Sequence, residues 1–197
     1  MSASRQTNPI AQQFLSARRS IPARLLTAPG PDAAQRAWLL QQALRAPDHG
    51  VLAPWRLISL DGAAKLRFGE RLAALALARD PALPEDKREK ERSRYGYAPW
   101  VLVVVARIDA ARPKIPVQEQ LLSAGCVAHN LLLGAQALGY GAQWLTGWAA
   151  YDAEVAALLG LAADERVIGF VHIGSARGEA AERTRPALAD KVSTWMA

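Results

Sequence analysis

Cysteine and histidine are scarce in this chain: one cysteine and three histidines stand among 197 residues. The lone Cys126 excludes an internal disulfide and fits a reducing compartment. The histidines, at 49, 129 and 172, have no metal-ligand spacing with one another, with Cys126 or with the acids, so no metal site is expected. Long apolar runs are also missing, and the opening Met-Ser-Ala-Ser-Arg-Gln-Thr-Asn has no apolar signal core; a cytoplasmic address and no membrane partner are expected. There is no P-loop. Gly139-Tyr-Gly-Ala-Gln-Trp144 lacks the third glycine of a dinucleotide fingerprint and follows a helical pattern instead of opening one. No serine sits in a strand-to-helix elbow, which leaves Ser-His-Asp catalysis without support.

Charge is present in excess but is not gathered. The net charge is +6, yet much of the density lies in Glu85–Arg94, where acids alternate with bases as on a solvated helix face. No basic tract is interleaved with stacking aromatics, so nucleic acid is not the expected partner, and the excess suits an anionic cofactor or substrate.

What the chain does contain is core. A hydrophobic share of 51% with 21% charged residues predicts one globular domain over residues 1–197, without internal repeats. Asn8-Pro9 starts a helix ending near Arg18, with Ile10, Phe14 and Leu15 on its apolar face. A second helix runs from Ala33 to Ala46, where it meets Pro47. Strand 55–60, a helix over 63–79 and the continuously apolar Trp100–Ala106 follow, the last read as a central strand buried on both faces. The longest helical pattern, Val117–Leu138, ends at Gly139, and Gly125 and Gly134 within it predict close packing. Strands over 141–145 and 167–173 flank a short helix capped by Asp152 and closed by Gly160. Strands and helices interleave without strict βαβ order, which predicts a layered α+β fold.

Two stretches are candidates for chemistry. In Arg45-Ala-Pro-Asp-His-Gly-Val-Leu-Ala-Pro-Trp55 two prolines and a glycine fix a turn that holds an arginine, an aspartate, a histidine and a tryptophan; residues alone leave open a binding site or a plain connector. Arg18-Arg19-Ser20 offers two guanidinium forks and a hydroxyl suited to a phosphate monoester, against the plainer reading of a basic helix end. His129 is expected in the core or at an interface, and Cys126 as a buried structural thiol.

Taken in order, Arg18-Arg19-Ser20, Arg45-Ala-Pro-Asp-His49 with Pro54-Trp55, Pro116-x-x-Glu119-Gln120 with Ser123-Ala-Gly-Cys126, Leu138-Gly139 to Trp144-x-Thr146-Gly147, and Gly169-Phe-Val-His-Ile-Gly174 resemble the nitroreductase family of flavoproteins, in its compact NAD(P)H nitroreductase type. The resemblance implies a three-layer α+β fold with a central, mostly antiparallel sheet flanked by helices. It also implies a homodimer holding FMN at the subunit interface. Arg18, Arg19 and Ser20 match positions that grip the phosphate and ribityl chain, and Arg185 a basic position that reaches the phosphate. Arg45 and His49 match contacts made by the partner subunit, and His49 is read as a positioning hydrogen-bond donor. Trp144, Leu145 and Thr146 match a segment lying along the flavin, with Leu145 where arginine is common; residues 134–139 fall near the nicotinamide region. The implied activity is ping-pong hydride transfer from NAD(P)H through FMN to a nitroaromatic, quinone or related small acceptor. Arg18, Arg24 or Arg45 would then face the flavin edge where negative charge grows. A flavin-binding dimeric module with little turnover, or another reaction of the same superfamily, is the alternative.

Overall fold

A computed structural model describes residues 7–196. Asn8 accepts a hydrogen bond from Ala11 N and Pro9 takes the first helical position, which starts α1 (Pro9–Ser16). Asp32 and Gln35 form a reciprocal capping box at the head of α2 (Ala33–Ala43). The other elements are β1 (Leu26–Thr27), β2 (Trp55–Asp61), α3 (Gly62–Arg79), α4 (Glu85–Ser93), β3 (Trp100–Arg107), α5 (Val117–Ala137), β4 (Gly141–Leu145), α6 (Ala153–Leu158) and β5 (Glu165–Ala176).

Every strand pair among the described residues is antiparallel. The twelve-residue β5 pairs with β3, which pairs with β2, and also with β4 and, at its C-terminal end, with β1. Helices cover both faces. Val101, Val103 and Val105 of β3 point into one core with Phe68 and Leu72 of α3, while Trp100, Leu102 and Val104 point into the other with Leu39 of α2 and Val127 and Leu131 of α5. This explains the continuous apolar run of β3: in an antiparallel sheet such a run signals cover on both faces as surely as in a parallel one.

A β-bulge interrupts the regular alternation of β5. Val104 pairs with Gly169 and Val105 with Val167, so Ile168 is the extra residue. Val167 and Phe170 therefore share one core although they are three residues apart, and Ile168 packs into the other.

The structure moves several expected boundaries. The second helix stops at Ala43, not Ala46, because Asn130 of α5 donates its side-chain amide to the carbonyls of Gln42 and Ala43 and satisfies that end. β5 extends from Glu165 to Ala176, lengthened by the two-residue β1, whose sequence carries no periodicity of its own. Gly134 does mediate close packing, since a Cβ there would lie 2.8 Å from Leu39, whereas at Gly125 the nearest atom would be an ordinary 3.8 Å away. His129 is exposed, not in the core, and Cys126 is only partly buried. No helix among the described residues is long and apolar enough to cross a membrane.

Candidate functional site

The segment between α2 and β2 is a braced loop. Gly50, Val51 and Ala53 all have left-handed backbone, with φ of 67°, 52° and 48°. For the β-branched Val51 that conformation is strained, and strain of this kind persists only where the surroundings impose it. Here they do. The Asp48 carboxylate accepts from the backbone N–H groups of Leu52 (3.2 Å) and Ala53 (2.8 Å). From α5, Ser123 donates to the Pro47 carbonyl at 2.6 Å and accepts from the Trp55 indole at 3.0 Å. His49 Nδ1 meets the Glu119 carboxylate at 2.8 Å. The result fixes Arg45, His49 and Val51 at the surface; Val51 is 90% exposed, an apolar side chain displayed at the cost of backbone strain.

The basic triplet lies at the other end of α5, against the outer edge of β4. Ile21 N donates to Ala142 O at 3.0 Å and Ala23 N to the Gln143 side chain at 2.6 Å, which lays residues 18–24 along that edge. Arg18 and Arg19 thereby line a cavity of about 580 Å³ with Gln136 of α5, the Gly139–Ala142 turn and the tail from Ala176 to Glu182. Arg19 also donates twice to the Ala181 carbonyl, at 3.2 and 2.7 Å, and reaches Glu182 at 3.9 Å. Arg185 pairs with the same Glu182 at 3.2 Å, so three of the expected cationic positions converge on one cavity and its rim. Ser20 is half-buried beside them without lining the cavity.

Farther along β4, Trp144, Leu145 and Thr146 are half-buried. The β5 bulge positions the first of these: the Trp144 indole donates to Ile168 O at 3.2 Å and lies where a Cβ on residue 169 would approach within 2.0 Å, which requires glycine at 169. Leu145 shares a second cavity of about 380 Å³ with Arg24, Lys90, Arg94, Tyr97 and Gln143. Opposite Gln143 on β5, His172 is wholly buried with its ring 5.6 Å from that of Tyr95, and neither ring nitrogen finds a partner among the described residues. Burial, assisted by Arg94 and Lys65, pushes His172 down to about 4, so it is neutral at ordinary pH. The same burial raises the Tyr95 phenol well above its usual range.

Arg18 and Arg19 thus line one cavity, with Arg185 tied to its rim through Glu182; Leu145 lines a second cavity, and Arg45 and His49 line neither. His49 pairs with Glu119, whereas the cavity of Arg18 and Arg19 reaches Gln136, seventeen residues farther along α5, or about 25 Å. Sequence reasoning missed Glu119 as the partner of His49 and the Arg19 bond to Ala181. Each joins residues far apart in the chain, and the only local signal was an acidic residue in the first turn of α5.

Comparison with known proteins agrees with this architecture. The profile of the nitroreductase family matches residues 15–175. A Haemophilus influenzae protein named "Putative NAD(P)H nitroreductase" is 38% identical over 158 residues, covering 80% of this chain and 84% of its own. Among solved structures, a nitroreductase-like family protein from Bacillus cereus superposes with a TM-score of 0.79 at 22% identity, covering 98% of each chain. A nitroreductase with bound FMN from Bacteroides fragilis gives a TM-score of 0.70 at 22% identity, covering 96% of this chain and all of the other.

Proposed function

From the chain's membership of the nitroreductase family we propose that it is an FMN-dependent oxidoreductase that uses NAD(P)H to reduce small acceptors of nitroaromatic or quinone type. The observation that carries the reading is the pair Arg18 and Arg19 on the cavity beside the edge of β4, with the tail's Arg185 tied to its rim through Glu182. The donor set fits the cofactor. A phosphate monoester dianion matches guanidinium forks at one end, and the half-buried Trp144–Thr146 segment offers an apolar surface and backbone groups for a planar ring system. When bound, FMN supplies the redox chemistry, accepting hydride from the nicotinamide and delivering two electrons to the acceptor.

The chain's own residues bind and orient. Arg18 and Arg19 hold the phosphate, with Arg185 closing from the tail and Ser20 adding a hydroxyl. Arg24, on the second cavity, is placed to face charge that grows on the reduced ring. Arg45 and His49 act on the flavin of a second subunit. Two features support this homodimer: the distance along α5 is longer than one FMN, and the outer face of α5 displays Leu122, 61% exposed, in line with Cys126 and His129. Antiparallel packing of two such faces would bring the His49 end of each chain to the Gln136 end of the other.

The test is an absorbance spectrum of the purified chain before and after anaerobic addition of NADH or NADPH. A yellow protein that bleaches is expected. Colourless protein that fails to take up added FMN would sink the reading.

A further inference from the structure

His49 and Glu119 are 70 residues apart and join the braced loop to the first turn of α5 through a 2.8 Å contact between Nδ1 and Oε2. An ionised carboxylate can only accept, so the hydrogen must be on Nδ1. In the neutral ring this leaves Nε2 bare, an acceptor, which is the reverse of the tautomer that free histidine prefers. Nε2 has no hydrogen-bond partner among the described residues, and the side chain is 55% exposed on a backbone that Asp48 and Ser123 hold still. The helix dipole accounts for an acid in the first turn of α5. It does not account for that acid being turned onto the imidazole, on a loop whose strain serves to hold it there.

Resting on the flavin-site reading above, we propose that Glu119 is a positioning residue: it holds His49 as the Nδ1–H tautomer so that Nε2 accepts a hydrogen bond from FMN bound by the other subunit. The donor is a flavin N–H or hydroxyl, the imide N3–H or a ribityl hydroxyl. His49 is then not the donor expected from the family pattern. The arrangement follows the general rule that the second nitrogen of a functional histidine is fixed by what the first one bonds.

Nitrogen-15 shifts of His49 in the flavin-free chain, at about pH 8 where an ordinary imidazole is neutral, read the tautomer directly. The wild-type ring is expected as Nδ1–H, and Glu119→Ala is expected to revert it to Nε2–H with an unchanged fold by circular dichroism. Glu119→Gln, whose amide can either accept or donate, should give a mixture. FMN affinity should fall about five- to tenfold in Glu119→Ala, the worth of one ordinary hydrogen bond. Repeating the titration with N3-methyl-FMN separates the sources: the loss disappears if the imide is the donor and persists if a ribityl hydroxyl is. An Nε2–H ring in the wild-type chain, or a tautomer and FMN affinity unmoved by Glu119→Ala, overturns the proposal. A wild-type chain with the expected tautomer that takes up no FMN overturns the flavin reading instead, and leaves the Glu119–His49 pairing standing.

Discussion

The two ends of α5 carry the two clusters of candidate residues, and they are built in opposite ways. At the Glu119 end, the 45–55 loop is short, strained and pinned by side-chain hydrogen bonds from Asp48, Ser123 and Glu119. At the Gln136 end, the cations are gathered by a tail that is exposed from residue 181 onward and held to the described chain by Arg19. A rigid loop suits groups that must aim at a ring across an interface. A loose strap suits a phosphate grip, because a cofactor must enter before the grip closes, and segments with few buried contacts open at little cost.

Breaking the loop should have the largest effect. Asp48→Ala removes the acceptor for two backbone N–H groups and frees Val51 and Ala53 to leave the left-handed region, so a loss of about 2 kcal/mol is expected in urea unfolding. Phosphate affinity at the other end should be nearly unchanged in the same variant. Freeing the strap should do the converse. Arg19→Ala is expected to leave global stability within about 0.5 kcal/mol, because its partners are largely exposed, but to weaken FMN binding roughly tenfold. Limited proteolysis should then cut within 181–196 faster while the 45–55 loop keeps its protection; equal acceleration at both places would mean the two ends are not independent.

The smallest effect sharpens the comparison through pH. Glu165, at the start of β5, is held down to about 2, chiefly by its side-chain hydrogen bonds from Arg56, at 2.6 and 2.7 Å. Arg56 follows directly on Trp55, where the loop enters β2. A depressed carboxylate stabilises the fold above its unfolded value, near 4.5, and that contribution is lost as pH falls from there through about 2. Amide exchange in that window should therefore rise first around 54–57 and not at the β4 edge. In Arg56→Met that acid-induced difference should vanish.

Much of the architecture could be read locally. Asn8-Pro9 starts a helix, Asp152 caps one by accepting from Glu154 and Val155 N–H, and Gly139 ends another with φ of 79°. The apolar run of β3 placed it at the centre. The candidate site was legible in composition more than in geometry. Arg18 and Arg19 share a cavity, Arg185 pairs with Glu182 at its rim, and the loop is pinned by side-chain hydrogen bonds, but nothing in the chain's local patterns shows the bulge at Ile168 that seats Trp144 or the neutral, buried state of His172.

The division has a physical cause. Helix caps, proline stops and apolar periodicity act over a few residues, so they are written where they act and identify the elements, their faces and the residue types suited to a phosphate and a flavin. The His49–Glu119 contact spans 70 residues and the Arg19–Ala181 bond 162. Neither partner carries a local mark of the other, because each bond exists only once the two cores have fixed where α5, β4 and the tail lie. Which nitrogen of His49 faces outward, and which arginine binds the tail, are consequences of that packing.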